Sequence, residues 1–337
     1  MPIDISITGA RAGVNIALTN LAQGFVQPSY VMRLLYPLDE VATYGGTVLQ
    51  FDDSMYDDVS DDRGDDTPYP EIQSGYEGKP FKLNTKGLSY RVPDKRRKEM
   101  ENLRINWGNL ASNSLMTRAG LRHEIEGAVK ATTVANYAAT NRITLSAGNR
   151  FGDANVDPDL IIRTGKDSCA DQIGVEPNVS VIGRRVFSAL ANKYARTFTA
   201  VGTNPGIRPQ LTLMALAQMY GFRKVAVCDA IVKVGGARTK VFGNHMVMAY
   251  TNPAALPTDD VSEGLLIPFR PSGAIDVMTP AYGYTYSFEG NPLMYSPYYD
   301  NDRGATVYKL DFDRQVVNSG VNDAGLITHG YLIRDAA

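Results

Sequence analysis

The residue types that most often carry chemistry are scattered along this chain. The three histidines, His123, His245 and His329, are far apart, and no HxxxH or CxxC spacing that would bind zinc is present. The two cysteines, Cys169 and Cys228, are too few for a disulfide framework. We therefore expect structural or exposed histidines, reduced and buried cysteines, and no metal or other cofactor.

Motifs that bind phosphate or expose a nucleophile are also missing. Gly165-Lys166 lacks the upstream glycine of a phosphate-binding loop and is followed by Asp167. There is no G-x-S-x-G turn of the kind that presents a catalytic serine. Since no nucleophile, acid–base pair or metal cluster emerges, the sequence disfavours an enzyme.

Residues 52–66 form an acidic segment with eight aspartates and one arginine. The segment could hold calcium, but Arg63 stands where a ligand should precede Gly64, and no glutamate follows at the required distance. A solvated loop of mutually repelling charges is the favoured interpretation. Four of its aspartates are candidates for contact with a neighbouring chain: Asp57, Asp58, Asp61 and Asp62.

A basic run lies between Arg91 and Arg104 and is interleaved with acidic residues. It could pair with the acidic segment of a neighbouring copy or form a solvated helix face, and these two hypotheses are equally favoured. Contact with DNA phosphates is a third hypothesis. The candidate contact residues in and near this run are Lys82, Lys86, Tyr90, Arg96 and Arg97.

Composition is that of a folded protein with one sizeable core or two modest domains. The chain has 337 residues, of which 44% are hydrophobic and 21% charged, and its net charge is -2. No apolar run approaches the roughly 20 residues that a membrane span needs. No secretory signal is visible at the N-terminus. The net charge provides no overall attraction to nucleic acid.

The first 93 residues predict an arm followed by a long hairpin. Residues 1–40 carry few charges, and Gln27-Pro28 and Tyr36-Pro37 interrupt any helical period, so we expect an arm with little core of its own. Residues 47–51 read as a strand, and residues 81–92 alternate in polarity with a register shift at Lys86-Gly87. We therefore expect residues 45–93 to form a two-stranded excursion with an acidic tip, which needs a partner surface for stability.

A long helix is predicted after Pro93-Asp94. No proline occurs from residue 95 to about 137, and apolar residues recur with a helical period that slips at residues 112–114. We expect one helix, bent near Gly108 or Ser112 and reaching roughly 60 Å if it is continuous.

The remainder alternates between helices and strands before strands take over. Asp157-Pro158-Asp159 begins a helix that should end at Gly174. Further helices are expected from Val186 and from Pro209, the latter with Leu211, Met214 and Ala217 facing inward and Gly221 as its stop. A strand and a loop are expected over residues 141–156. Further strands are expected at residues 178–183, 224–228, 245–250, 282–288, 306–317 and 327–333.

Within this region, residues 157–161, 174–183 and 185–190 read as a helix, a G-x-x-P-N turn, a buried strand and a helix. Residues 217–227 give a helix–glycine–strand step, and residues 241–250 and 330–333 give later strands. This ordered set, together with the arm, long hairpin and long helix, resembles the major capsid proteins of tailed bacteriophages. The resemblance covers nearly the whole chain.

The resemblance implies an α+β fold with five parts. These are an N-terminal arm at 1–44, an E-loop at 45–93, a P-domain with the spine helix at 94–175, an A-domain at 176–300, and C-terminal strands at 301–337 that return to the P-domain.

The resemblance also implies a structural protein of the virion, assembled in the host cytoplasm without a membrane. Copies would assemble as hexamers and pentamers into an icosahedral shell that encloses double-stranded DNA by non-specific proximity. Portal, scaffolding and decoration proteins are candidate partners. Since the sequence starts almost directly with the arm, we expect the scaffolding protein to be separate. The alternative is an encapsulin-type compartment shell.

Some members of this group form a lysine–asparagine crosslink with the help of a glutamate. Lys79, Lys82 and Lys86 place lysines in the hairpin region. No matching asparagine or glutamate is identifiable, so this chemistry is not carried over to the present chain.

Overall fold

The computed structural model describes residues 13–25, 27–51, 58, 62, 69, 76–99, 106–200, 211–256, 281–322 and 324–337. Within these residues, no helix combines the length and apolar character needed to cross a membrane.

The N-terminal segment contributes more to the core than its sequence suggested. Helix α1 spans Ile16–Gln23, a short 3-10 turn spans Met32–Leu34, and strand β1 spans Leu38–Val41. Residues 30–36 include six buried apolar side chains that lie in the largest core cluster. The expectation of an arm with little core of its own was therefore wrong for residues 30–36, because their apolar side chains pack with the C-terminal end of the helix at Trp107–Thr132.

The long hairpin is shorter than expected. Strands β2 (Gly45–Phe51) and β3 (Tyr76–Lys82) pair in antiparallel fashion from Gly45↔Lys82 to Phe51↔Tyr76. Strand β4 (Gly87–Pro93) leaves the hairpin and pairs along its length with strand β14 (Ala305–Asp311). The register shift at Lys86-Gly87 is confirmed, and it marks the point where the chain passes from one sheet to another.

Two helices stand where one was expected. Helix α2 spans Asp94–Glu99 and helix α3 spans Trp107–Thr132, about 39 Å at 1.5 Å per residue. The start of α3 is fixed by Asn106, which has extended backbone angles and accepts the N–H of Asn109. Ser112 lies inside the helix, fully buried. The apolar period of the sequence is interrupted at this point because the inward-facing residue is a small polar serine.

A five-stranded sheet organises the compact part, in the order β5 (Arg142–Thr144), β16 (Gly330–Arg334), β10 (Met246–Ala249), β6 (Val179–Gly183) and β7 (Lys224–Cys228). The β5–β16 and β6–β7 pairs are parallel, and the two central pairs are antiparallel. The predicted buried strands 178–183, 224–228 and 245–250 are confirmed.

Three helices cover one face of this sheet: α4 (Pro158–Ile173), α5 (Arg184–Ala200) and α6 (Leu213–Tyr220). Helix α4 begins after Asp157, as predicted, and ends at Gly174 with φ 68°. Helix α6 begins after the N-cap Thr212, so the expected start at Pro209 was wrong. Met214 is 60% exposed rather than inward, and Leu216 takes the buried position.

The opposite face of the sheet packs on the C-terminal end of α3 and on residues 30–36. The remaining strands build a three-stranded sheet and an antiparallel sheet around β14. The first contains β1, β11 (Gly283–Phe288) and β15 (Arg314–Asn318), and the second contains β12 (Leu293–Met294), β13 (Tyr298–Asp300), β14 and β4. A two-stranded hairpin, β8 (Ile231–Val234) and β9 (Ala237–Lys240), follows β7. The structure combines helices with several largely antiparallel or mixed sheets, which confirms the predicted α+β class.

Candidate intersubunit surfaces

The root of the long hairpin is packed on the sheet that contains β11. The Tyr44 ring stacks on Phe288 with centroids 4.5 Å apart, and the Phe81 ring stacks on Tyr286 at 4.9 Å. Phe81 lies over Gly46, where a Cβ atom would come within 2.7 Å of the ring. A Cβ atom at residue 46 would force the Phe81 ring to shift, so the glycine at this position favours the observed stacking.

Asp313 holds both chain segments that flank the hairpin. This residue is 2% exposed and lies between β14 and β15. Its Oδ1 accepts the backbone N–H of Lys86 at 2.8 Å, and its Oδ2 accepts the hydroxyl of Tyr44 at 2.9 Å. A single buried carboxylate therefore connects the entry and exit of the hairpin.

The neighbouring Arg314 extends this connection to helix α3. Its side chain is 3% exposed, and its Nε lies 3.2 Å from Oε2 of Glu126 on α3. Lys86 Nζ lies 2.8 Å from Oε1 of the same Glu126. Burial lowers the pKa of Arg314, and the charge and hydrogen bond of Glu126 oppose this shift. The paired carboxylate therefore helps to keep the buried guanidinium in its charged form. We call Asp313, Arg314, Glu126 and Lys86 the hairpin anchor.

Two further polar residues of α3 face inward. His123 Nε2 lies 3.0 Å from Thr285 Oγ1, and burial, followed by Arg314 and Lys86, lowers the pKa of His123 to about 3. Glu124 accepts the N–H of Met32 at 2.9 Å, and burial raises its pKa to about 8. The first contact fixes β11 against the helix, and the second fixes the N-terminal segment against it.

The acidic candidates follow strand β2 and precede strand β3 in the sequence. Asp58 and Asp62 are exposed, whereas Asp57 and Asp61 lie outside the described residues. The calcium hypothesis for residues 52–66 concerns a segment that falls almost entirely outside the described residues.

The basic candidates divide between exposed and internal positions. Arg96 on α2 and Lys82 at the end of β3 are exposed. Arg97 on α2 pairs with Asp94 at 3.4 Å, and Asp94 also accepts the hydroxyl of Tyr299 on β13. In contrast, Tyr90 packs against the cluster beneath α3, and Lys86 belongs to the hairpin anchor.

The remaining chemical candidates are internal. No group of His, Cys, Asp and Glu side chains suited to a metal ion occurs among the described residues. Cys169 and Cys228 are both free and buried, as predicted, and burial raises the pKa of Cys169 to about 12. His245 accepts the N–H of Asp335 at 3.2 Å. These side chains make contacts within the folded subunit.

Sequence reasoning missed the hairpin anchor. The sequence shows three charged residues, Asp311, Asp313 and Arg314, between two strand-like segments, and this cluster was the one indication of a polar contact here. Nothing in the local sequence connects them to Glu126, which is 188 residues away from Arg314.

Comparison with known proteins identifies relatives over most of the chain. No protein-family model matches it. A curated relative, the major capsid protein of Burkholderia phage BcepMu, is 26% identical over 287 residues, covering 83% of this chain and 85% of the relative.

Solved structures extend the comparison to the fold. A phage-related protein from Bordetella bronchiseptica RB50 matches with a TM-score of 0.72 and 27% identity, covering 97% of this chain and 98% of that one. The capsid of a native GTA particle matches in fold at 10% identity, with a TM-score of 0.53, covering 93% of this chain and 92% of that one. This chain therefore has the major capsid fold of tailed bacteriophages, and its role is that of a capsid shell subunit.

Proposed function

We propose that this chain is a major capsid protein that assembles through hexamers and pentamers into an icosahedral shell around double-stranded DNA. The observation that carries the proposal is the nearly full-length similarity to a phage-related structure, together with a relative named as a phage major capsid protein. The role is structural rather than catalytic.

The long hairpin supports assembly on physical grounds. An isolated two-stranded hairpin is marginally stable in water, and its exposed edges are available for another chain. The root of this hairpin is fixed by aromatic stacking and by the hairpin anchor, whereas the exposed Asp58 and Asp62 lie beyond the paired strands. A neighbouring subunit in the shell would provide the surface that completes it.

Charge suggests where the acidic end of the hairpin binds. Helix α2 carries four consecutive cations at residues 95–98, all exposed. We propose that Asp57, Asp58, Asp61 and Asp62 face this helix of a neighbouring copy, with Arg96 and Arg97 as contacts and with Lys82 and Tyr90 near the interface. A charge-reversing Arg96→Glu variant should assemble less efficiently, and the equivalent Arg185→Glu change on the exposed face of α5 provides a control. Equal assembly by both variants would remove the contact from the proposal.

The five-part division and the partners also belong to the proposal. The arm, E-loop, P-domain, A-domain and C-terminal strands keep the boundaries given above, with the paired strands of the E-loop ending at Lys82. Portal, scaffolding and decoration proteins are the expected partners in the host cytoplasm. Packaged DNA would lie against the inner surface of the shell without specific recognition.

Electron microscopy of particles formed by the purified chain tests the proposal. Closed icosahedral shells, large enough for a phage genome when formed with scaffolding protein, are the expected result. Small uniform shells that enclose a protein cargo would favour the encapsulin-type alternative. A chain that stays monomeric under all conditions tested would contradict a shell function.

A further inference from the structure

The β8–β9 hairpin projects from the end of β7 as an exposed two-stranded ribbon. Its turn, Gly235-Gly236, has φ values of 58° and 88°, which suits a tight two-residue connection. Ile231 is 48% exposed and Val234 is 65% exposed. Apart from the half-buried Val232, every residue of the two strands is exposed. Such a ribbon gains little stability from its own core.

The base of this ribbon is nevertheless held in a defined direction. Asp229, just before β8, accepts the Arg184 Nε at 3.0 Å and the Lys240 Nζ at 3.1 Å. The N–H of Val241 donates to the carbonyl of Ala230 at 2.9 Å and closes the ribbon. The arrangement presents the ribbon at a fixed angle.

One face of the ribbon concentrates positive charge. Lys233 and Arg238 are directly opposite each other in the β8–β9 pair, and like charges in such a pair are destabilising. Neither makes an ion pair with any residue that the structure describes. The described part of the subunit therefore leaves this exposed cationic pair without a salt-bridge partner.

A complementary pair of carboxylates lies at the end of β1. Glu40 is exposed beside Glu289, whose N–H donates to the carbonyl of Val41 at 3.1 Å. Partial desolvation raises the pKa of Glu40, a backbone hydrogen bond from Gly290 opposes this shift, and the charges of Glu289 and Asp39 raise the pKa further. In the described part of the chain, none of these three carboxylates forms a salt bridge.

The two pairs are attached to different sides of helix α3. Cys228, which ends the strand before the ribbon, lies near Glu124. Thr285, which is paired with Leu38 of β1, contacts His123. Consecutive residues of an α-helix point about 100° apart, so the elements that carry the ribbon and the carboxylates contact different side chains of α3.

We propose that the cationic face of the β8–β9 ribbon docks on Glu40 and Glu289 of a second copy of this chain. This inference rests on the proposed shell function. The contact joins two different patches of the same subunit, and head-to-tail contacts of this kind form rings when the rotation between subunits closes, as the proposed hexamers and pentamers require. It would therefore act within the hexamers and pentamers, separately from the contact proposed for the acidic end of the long hairpin.

A charge-swap experiment tests the proposal. The double variant K233E/R238E should form fewer shells than the wild type, on the order of tenfold at physiological salt, because close interfacial charge pairs contribute strongly to association. Adding E40K/E289K should restore assembly. The control R163E/R185E makes the same change in net charge on α4 and α5 and should assemble normally. Shell yield is measured by sedimentation and electron microscopy.

The outcomes separate this inference from the proposed function. Normal assembly of K233E/R238E, or rescue by reversing Asp58 and Asp62 instead of Glu40 and Glu289, would overturn the docking site while the shell function stands. Failure of the wild type to form shells would overturn the shell function itself. If K233E/R238E does not fold, the uncharged K233Q/R238Q variant applies the same test, and it should show reduced assembly with less dependence on salt.

Discussion

Removing the Asp313 carboxylate should release the root of the long hairpin. In an Asp313→Ala variant, the backbone N–H of Lys86 and the hydroxyl of Tyr44 both lose their acceptor. Hydrogen bonds to a charged partner each contribute about 1.5–3 kcal/mol. Tyr44 is 42% exposed, so water can replace much of its bond, whereas the site at Asp313 is buried. We therefore expect a net local loss of about 3 kcal/mol.

Hydrogen exchange of the unassembled subunit measures this loss at the Lys86 amide. About 3 kcal/mol corresponds to a roughly hundredfold faster exchange when exchange follows local opening. A Tyr44→Phe variant is the graded control, because it removes one hydroxyl and leaves the bond from Lys86 in place. Its effect on the Lys86 amide should be much smaller.

The result that would refute this reasoning is unchanged exchange at Lys86 in Asp313→Ala. The hairpin would then be positioned by aromatic stacking alone, and the hairpin anchor would have no mechanical role. A uniform loss of protection across the whole chain would also contradict it, because the effect would be global unfolding and not release of the root.

Three further predictions concern the body of the subunit and the hairpin beyond its root. Burial raises the pKa of Glu124 from 4.5 to about 8. The stability that protonated Glu124 contributes should therefore be full below about pH 4.5 and should be lost as the pH rises to about 8. A Glu124→Gln variant should show a weaker pH dependence of the free energy of unfolding in urea. A Gly183→Ala variant should be less stable by about 1–3 kcal/mol, because the new Cβ atom would lie 2.2 Å from the carbonyl oxygen of Gly243. The control variant Gly152→Ala has open space around the new Cβ atom and should be nearly neutral in the same denaturation assay. In a free subunit, amides of residues 45–82 should exchange faster than those of the buried strand β10, and strong protection throughout the hairpin of a monomer would contradict its need for a partner.

Local sequence signals were sufficient for much of the compact part. The Asp157 cap with Pro158 and the left-handed Gly174 define the ends of α4 without help from distant residues. The run of buried residues in β6 is likewise evident from its apolar sequence. Such features depend on short-range capping and burial, so the sequence alone can predict them.

The errors arose where distant residues determine the outcome. Strand β4 alternates as a hairpin strand would, but its partner is β14, more than two hundred residues later in the chain. Ser112 was taken for a break because its small polar side chain interrupts the apolar period, yet it is fully buried in the inward face of α3. The hairpin anchor was missed for the same reason, because Glu126 and Arg314 meet only after folding.

The most direct test of the central claim is cryo-electron microscopy of particles assembled from the purified chain. We expect closed icosahedral shells in which each subunit shows the long hairpin lying on a neighbouring subunit and helix α3 intact from Trp107 to Thr132. Subunits that remain monomeric, or ordered particles in which the long hairpin contacts only its own chain, would contradict the account.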